Sequence, residues 1–323
     1  MESTAPRGEG GLVDPDAAYR GRTVLITGAS GFLGTALRLR LSAAGAVVHA
    51  ISRRESDDQD ARWWNADLTA PDSLAELLHA AEPEVVFHLA GETSAGRALD
   101  LVRSTFEANV VTTVNLLASL AKSSPKTRVV LAGSLEEPDL RAGETPTSPY
   151  ALSKSTAAAY GALFHELYGL SFVHLRIFMA YGPGQAAVSK LVPYVTLSLL
   201  RGEPAELSSG TREIDWIYVD DAVHALAAAG LESRAAGQTL DVCSGTTASV
   251  RRVAEEIVRL LGRGELRFGA LEDRLREEER VGDPEPAKRI LGWQATTPLQ
   301  EGLRRTVEWY RERLEPGERE QAG

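Results

Sequence analysis

The stretch Val24-Leu25-Ile26-Thr27-Gly28-Ala29-Ser30-Gly31-Phe32-Leu33-Gly34 decides the fold. Apolar strand formers run into a turn with glycine at every third position, and an apolar-periodic segment, Phe32 to Ala44, follows directly. A strand that turns this way into a helix lets backbone N–H groups approach a pyrophosphate with no Cβ between them. It also aims a helix N-terminus at the negative charge. Alone, such a turn is shared by many nucleotide-binding α/β domains.

Outward from this turn, the chain alternates between the two periodicities. Strands are predicted at Thr23–Thr27, Val47–Ser52, Val85–Ala90, Arg128–Ala132 and Phe172–Arg176, and helices at Phe32–Ala44, Ser73–Ala80, Leu99–Ala121 and Tyr150–Tyr168. Apolar strands linked by helical crossovers predict an α/β fold, a Rossmann-type doubly wound parallel sheet over residues 21–180. After Tyr181-Gly182-Pro183-Gly184 the alternation loosens. Helices Leu191–Leu200 and Val250–Leu261, with a turn at Arg201-Gly202-Glu203-Pro204, predict a smaller C-terminal substrate-binding lobe over 181–213 and 244–313. Trp216–Val219 and Thr239–Val242, within 214–243, are expected to return to the main sheet. The polar ends, 1–20 and 314–323, are read as flexible. Glu277-Glu278-Glu279-Arg280 is read as a solvated charge run.

A second motif, Tyr150-Ala151-Leu152-Ser153-Lys154, opens the helix that follows the predicted strand Arg128–Ala132, and Ser148-Pro149 supplies a start signal. A spacing of one helical turn puts the phenol and the ammonium on the same face. With the glycine turn in register ahead of it, the pair reads as hydride chemistry.

The composition is that of a water-soluble domain. The chain has 323 residues, 43% hydrophobic and 25% charged. A net charge of −10 leaves no basic stripe for nucleic acid. The single cysteine, Cys243, excludes an intrachain disulfide and is read as buried filler. No segment resembles a signal peptide or a membrane span, so a cytoplasmic protein is expected. No metal site is expected.

On these residues the chain resembles the extended short-chain dehydrogenase/reductase family of nucleotide-sugar epimerases, dehydratases and ketoreductases, from Arg22 to about Tyr310. The matching pieces are Thr27-Gly28-x-x-Gly31-x-x-Gly34, Asp67-Leu68, His88-Leu89-Ala90-Gly91, Asn109-Val110, Ser134, Tyr150-x-x-x-Lys154 and Tyr181-Gly182-Pro183-Gly184. The resemblance implies that Gly28, Ser30, Gly31, Phe32, Leu33 and Gly34 hold the cofactor pyrophosphate. Asp67 and Leu68 would flank the adenine; Leu89, Ala90 and Gly91 the ribose and pyrophosphate. Phe178 is a further implied cofactor contact, and Asn109 would support Lys154 through water. It also implies a homodimer formed through the two long helices, with Val102, Phe106, Ala158, Leu163 and Leu167 on the seam.

The end of the second strand is read on its own chemistry. A carboxylate there would bind the ribose 2′-hydroxyl and select NAD. This chain has Ser52-Arg53-Arg54, and guanidinium groups suit the 2′-phosphate of NADP. NADP is therefore expected over NAD.

Tyr150 is expected to be the acid/base, with Lys154 favouring the phenolate and Ser134 orienting the substrate oxygen. Thr93, Ser94, Glu136, Met179, Lys190, Arg212 and Arg274 are the substrate-binding candidates. Family dehydratases carry Asp-Glu directly after the Ser/Thr; here the pair is Leu135-Glu136, and leucine carries no proton. Met179 and Ile214 stand where the family commonly has Asn and Arg. The expected activity is NADPH-dependent reduction of a nucleotide-linked 4-keto-6-deoxy sugar. The alternatives are a 4-epimerase or 4,6-dehydratase retaining NAD, and a non-catalytic cofactor-binding protein.

Overall fold

The computed structural model describes residues 15–53, 56, 58–140, 142–273 and 279–313. A short helix α1 (Pro15–Ala18) precedes β1 (Thr23–Thr27), α2 (Phe32–Ala43), β2 (Val47–Ser52), β3 (Arg62–Asn65), α3 (Pro71–Ala81) and β4 (Val85–His88). Next comes one helical rod, built from α4 (Leu101–Phe106), a π-helical turn (Glu107–Val111) and α5 (Thr112–Ser123). β5 (Arg128–Ser134), α6 (Pro149–Tyr168) and β6 (Ser171–Ile177) complete the first half.

The second half runs β7 (Met179–Tyr181), α7 (Leu191–Leu200), β8 (Ala205–Leu207), β9 (Glu213–Tyr218), α8 (Val219–Leu231), β10 (Thr239–Val242), β11 (Thr247–Ser249), α9 (Val250–Leu261), β12 (Leu266–Phe268), α10 (Glu285–Leu291) and α11 (Leu299–Arg313).

The main sheet has seven parallel strands in the order β10-β6-β5-β4-β1-β2-β3. Alternation along β1 shows why it is central. Val24 and Ile26 pack into one core with Leu37 and Leu41 of α2, while Leu25 packs into another with Leu74 of α3 and Leu116 of α5. Both faces are covered, as the continuous apolar run requires. Strand order reverses at β1, between β2 and β4, and that places a ligand crevice at the carboxyl ends of these strands.

Three expectations are corrected. Thr239–Val242 joins the main sheet beside β6, but the Trp216 segment does not. As part of β9 it lies in a separate three-stranded sheet, parallel to β7 and antiparallel to β11. Ile214 to Tyr218 are all buried there, and the Trp216 indole donates to the Ala248 carbonyl at 2.9 Å. Secondly, the N-terminal stretch read as frayed is ordered from Pro15. Tyr19 is fully buried and its hydroxyl donates to the Ala227 carbonyl at 2.7 Å. Thirdly, Arg280 does not lie on a solvated face; it reaches the carbonyls of Leu135 and Glu137 and pairs with Glu144.

Candidate active site

The β1–α2 turn is shaped by close approach. Gly28 has φ +66°, and a Cβ there would lie 2.7 Å from the Ala90 nitrogen and 2.8 Å from the Leu89 carbonyl carbon. The residue at the head of α2 is Gly31, and no side chain caps this helix. Uncapped N–H groups of Phe32, Leu33 and Gly34 at a positive helix terminus match a pyrophosphate in charge and geometry. Thr27 Oγ1 accepts from the Ala90 nitrogen at 3.1 Å, which ties the β4 loop, Leu89-Ala90-Gly91, to the same turn. The residues present therefore fit a dinucleotide.

At the end of β2, Ser52 is buried and its hydroxyl lies 3.1 Å from that of Ser30. Arg53 is exposed, and its charge acts on Asp67. The Asp67 carboxyl sits below its ordinary range chiefly because it accepts from the Thr69 N–H and hydroxyl, with Arg53 a smaller contribution. Leu68 is buried under α3, and its carbonyl accepts from Asn115 at 3.0 Å. Arg54 and Arg274 lie outside the described residues.

Tyr150 and Lys154 occupy the first turns of α6, where the Ser148 hydroxyl caps the Ala151 N–H at 3.1 Å and Pro149 suits the first position. Both side chains are buried. Burial raises the phenol above its ordinary range; a hydrogen bond from Ser134 pulls it down, while the charges of Glu136, Glu137 and Glu92 push it up. Tyr150 is thus a neutral phenol here. The Lys154 ammonium donates to the Ala132 carbonyl at 2.8 Å. Burial lowers the lysine, and the Glu137 charge opposes this.

Asn109 is placed by the π-helical turn. Its amide donates to Ser153 Oγ at 2.8 Å and to the Glu92 carbonyl at 3.2 Å, and its oxygen accepts from the Glu92 N–H at 2.8 Å. The contact to the lysine's helix therefore runs through Ser153. His88 lies between the hydroxyls of Thr27 and Thr113, at 2.8 and 3.0 Å. Burial, with the Lys154 charge, lowers it to about 3, so it is neutral.

A cleft opens beside Ser134, lined among others by Leu135, Glu136, Arg97, Ser148, Arg212 and Arg280. This gathers Glu136 and Arg212 from the substrate candidates. Thr93, Ser94 and Lys190 lie elsewhere in a linked group: the Lys190 ammonium donates to the Thr93 carbonyl at 3.2 Å, and the Thr93 and Ser94 N–H groups donate to Glu92. Met179 is half-buried at the start of β7, and Phe178 is buried with its N–H donating to the Val242 carbonyl at 3.0 Å. Among the described residues no cluster of three or more His, Cys, Asp or Glu side chains could hold a metal ion.

Sequence reasoning missed Glu137, His174 and Arg280. Glu137 was not singled out, Arg280 was read as part of a solvated charge run, and His174 as a strand residue. The available signal was Gly133, a residue without a side chain directly ahead of Ser134.

The parallel order around β1, the glycine turn and the Tyr-Lys helix together define a short-chain dehydrogenase/reductase site. Residues 24–243 match the NAD dependent epimerase/dehydratase family, and the chain belongs to it. It is 32% identical to the UDP-glucose 4-epimerase of Mycolicibacterium smegmatis, with 89% of this chain and 98% of that protein covered. It is 30% identical to the dTDP-glucose 4,6-dehydratase of Mycobacterium tuberculosis strain H37Rv, covering 90% of this chain and 93% of that protein. Among solved structures, MoeE5 in complex with UDP-glucuronic acid and NAD superposes with a TM-score of 0.82 at 30% identity, over 90% of this chain and 99% of that one. The chain is thus an enzyme of the extended short-chain dehydrogenase/reductase type.

Proposed function

We propose that the chain is a nucleotide-sugar 4-epimerase that keeps its nicotinamide cofactor through the cycle. This replaces the ketoreductase expectation, since the relatives named above are epimerases and dehydratases rather than net reductases. One observation carries the choice between those two activities. The cleft beside Ser134 is lined by Glu136 and by Glu144, the latter paired with Arg280, and directly after Ser134, where elimination of water needs a second proton-carrying group, it has Leu135. Epimerisation at C4 needs no such group.

A bound nicotinamide cofactor would supply reversible hydride transfer with a sugar carbon. Tyr150 removes the proton of the 4-hydroxyl as C4 is oxidised and restores it when the carbonyl is reduced on the opposite face. Ser134 holds the same oxygen through its hydroxyl. Lys154 binds the nicotinamide ribose and, as a cation, favours the phenolate when the proton leaves. Gly28 to Gly34 with Leu89 to Gly91 would hold the pyrophosphate, Asp67 and Leu68 would flank the adenine, and Phe178 would be a further cofactor contact. Arg97 and Arg212 supply positive charge for the sugar's diphosphate, with Thr93, Ser94, Met179 and Lys190 bordering the sugar.

A second reading has one feature in its favour. No carboxylate ends β2, and Ser52 with the exposed Arg53 suits NADP, which would supply a net reduction of a 4-keto-6-deoxy sugar. Either enzyme would pair as a homodimer through α4–α5 and α6, where Val102, Phe106, Leu163 and Leu167 are exposed. Ala158 is turned instead into the protein's own core.

The test is absorbance of bound reduced cofactor near 340 nm after mixing with UDP- and dTDP-glucose. A transient that Tyr150→Phe slows by at least about a hundredfold supports the reading. An unchanged rate in that variant removes Tyr150 from the mechanism.

A further inference from the structure

Directly behind the catalytic candidates lies a buried carboxylate–imidazole pair that the proposed chemistry does not use. Glu137 and His174 have side-chain exposures of 5% and 3%, and His174 Nε2 lies 3.2 Å from Glu137 Oε1. The same carboxylate oxygen accepts from the Ser134 N–H at 2.7 Å. His174 stands on β6 opposite Leu131 of β5, and its other ring nitrogen lies 3.3 Å from the Thr239 hydroxyl.

Gly133 explains how the pair fits. A Cβ at this position would collide with both the His174 ring and the Glu137 carboxylate. The last three residues of β5 thus serve one cluster: the Ala132 carbonyl receives the Lys154 ammonium, Gly133 makes room for the pair, and the Ser134 N–H binds Glu137.

Burying a carboxylate costs several kcal/mol, and apolar residues of similar volume would commonly fill such a space at no loss of stability. Stability alone is therefore a poor account of this pair. What the carboxylate does offer is a negative charge behind a buried ammonium.

We propose that Glu137, held by His174, is a positioning residue for the Ser134–Tyr150–Lys154 site: it fixes the turn carrying Ser134 and supplies the counter-charge that keeps Lys154 an ammonium. Burial works against the charged form of Lys154, and Glu137 is the group that opposes it. Burial likewise works to raise Glu137, but the charge and hydrogen bond of His174, the Ser134 N–H and the Lys154 charge together hold it below its ordinary range. Of the neighbouring groups, His88 of β4 is neutral, Tyr150 of α6 is raised by burial, and the charges of Glu136 and Glu92 act on Tyr150 beside that of Glu137, which is the carboxylate that acts on Lys154.

The inference rests on the reading of Tyr150 and Lys154 as the catalytic pair, yet its test uses neither substrate nor turnover, so the two fail separately. The chain has only five lysines, which makes their side-chain carbons separable by NMR. The full-length protein carrying 13Cε-lysine is titrated with pH, and Lys154→Met assigns the signal. In Glu137→Gln the Lys154 midpoint should fall by at least about one pH unit, the scale of losing one adjacent opposite charge. If that variant does not fold, Glu137→Gln combined with His174→Gln removes charge and partner together, and the same fall is expected. An unchanged Lys154 midpoint in whichever variant folds overturns the proposal.

Discussion

Replacing Gly28 by alanine separates two costs that the structure assigns to this one position. The residue has φ +66°, where a Cβ costs an L-residue about 1–2 kcal/mol. The new Cβ would also lie 2.7–2.9 Å from the nitrogen and Cα of Ala90 and the carbonyl carbon of Leu89. These are main-chain atoms, so the ends of β1 and β4 must separate, an overpacking worth about 1–3 kcal/mol. The sum is about 2–5 kcal/mol. Gly21 is the control, with φ +75° and nothing within 4 Å of its would-be Cβ. Gly21→Ala should therefore carry the backbone cost alone. Denaturant unfolding followed by circular dichroism would measure both. Because the separated strand ends open the pyrophosphate turn, Gly28→Ala should also weaken dinucleotide binding by at least about tenfold, equal to about 1.4 kcal/mol. Gly28→Ala no more destabilising than Gly21→Ala, with unchanged cofactor affinity, would refute the close-approach argument.

Three further outcomes are expected. Arg53→Ala should erase most of any preference for NADPH over NADH in a fluorescence titration, because a charge-assisted hydrogen bond to the 2′-phosphate is worth about 1.5–3 kcal/mol; equal affinities in the unaltered protein would remove Arg53 from cofactor choice. His88 is held at about 3 when folded against about 6.5 unfolded, so only the unfolded chain binds this proton between those values. Stability should consequently fall with pH below about 6.5, by up to about 1.4 kcal/mol per unit, and His88→Asn should flatten that slope in acid-titrated melts; an unaltered slope would count against a neutral buried His88. Sedimentation should show a dimer that Phe106→Glu with Leu163→Glu converts to monomer, and a monomeric unaltered protein at micromolar concentration would exclude the helical seam.

The parts legible in the sequence were those fixed by local physics. β1, β2 and β10 end where the apolar runs end, and α7 and α9 span their predicted residues, because burial pattern and glycine or polar boundaries coincide there. β3 was implied only by its place before Asp67. Its Arg-Trp-Trp-Asn run has exposed and half-buried residues at an edge, with no apolar alternation to read. The Trp216 segment is apolar enough for either sheet, and the partner is settled by long-range pairing with β7 and β11. At the site, the places of Tyr150, Lys154 and the glycine turn were legible because helical spacing and backbone shape fix them. The Glu137–His174 pair was not, since 37 residues separate two partners joined only by the β5–β6 register.

The most direct test of the central claim is product analysis by NMR in D2O, with UDP- and dTDP-hexoses and hexuronates offered to the purified protein. The account predicts a C4 epimer with no deuterium at C5 or C6 and no net consumption of cofactor. A 4-keto-6-deoxy product carrying solvent deuterium, or stoichiometric oxidation of NADPH, would contradict it.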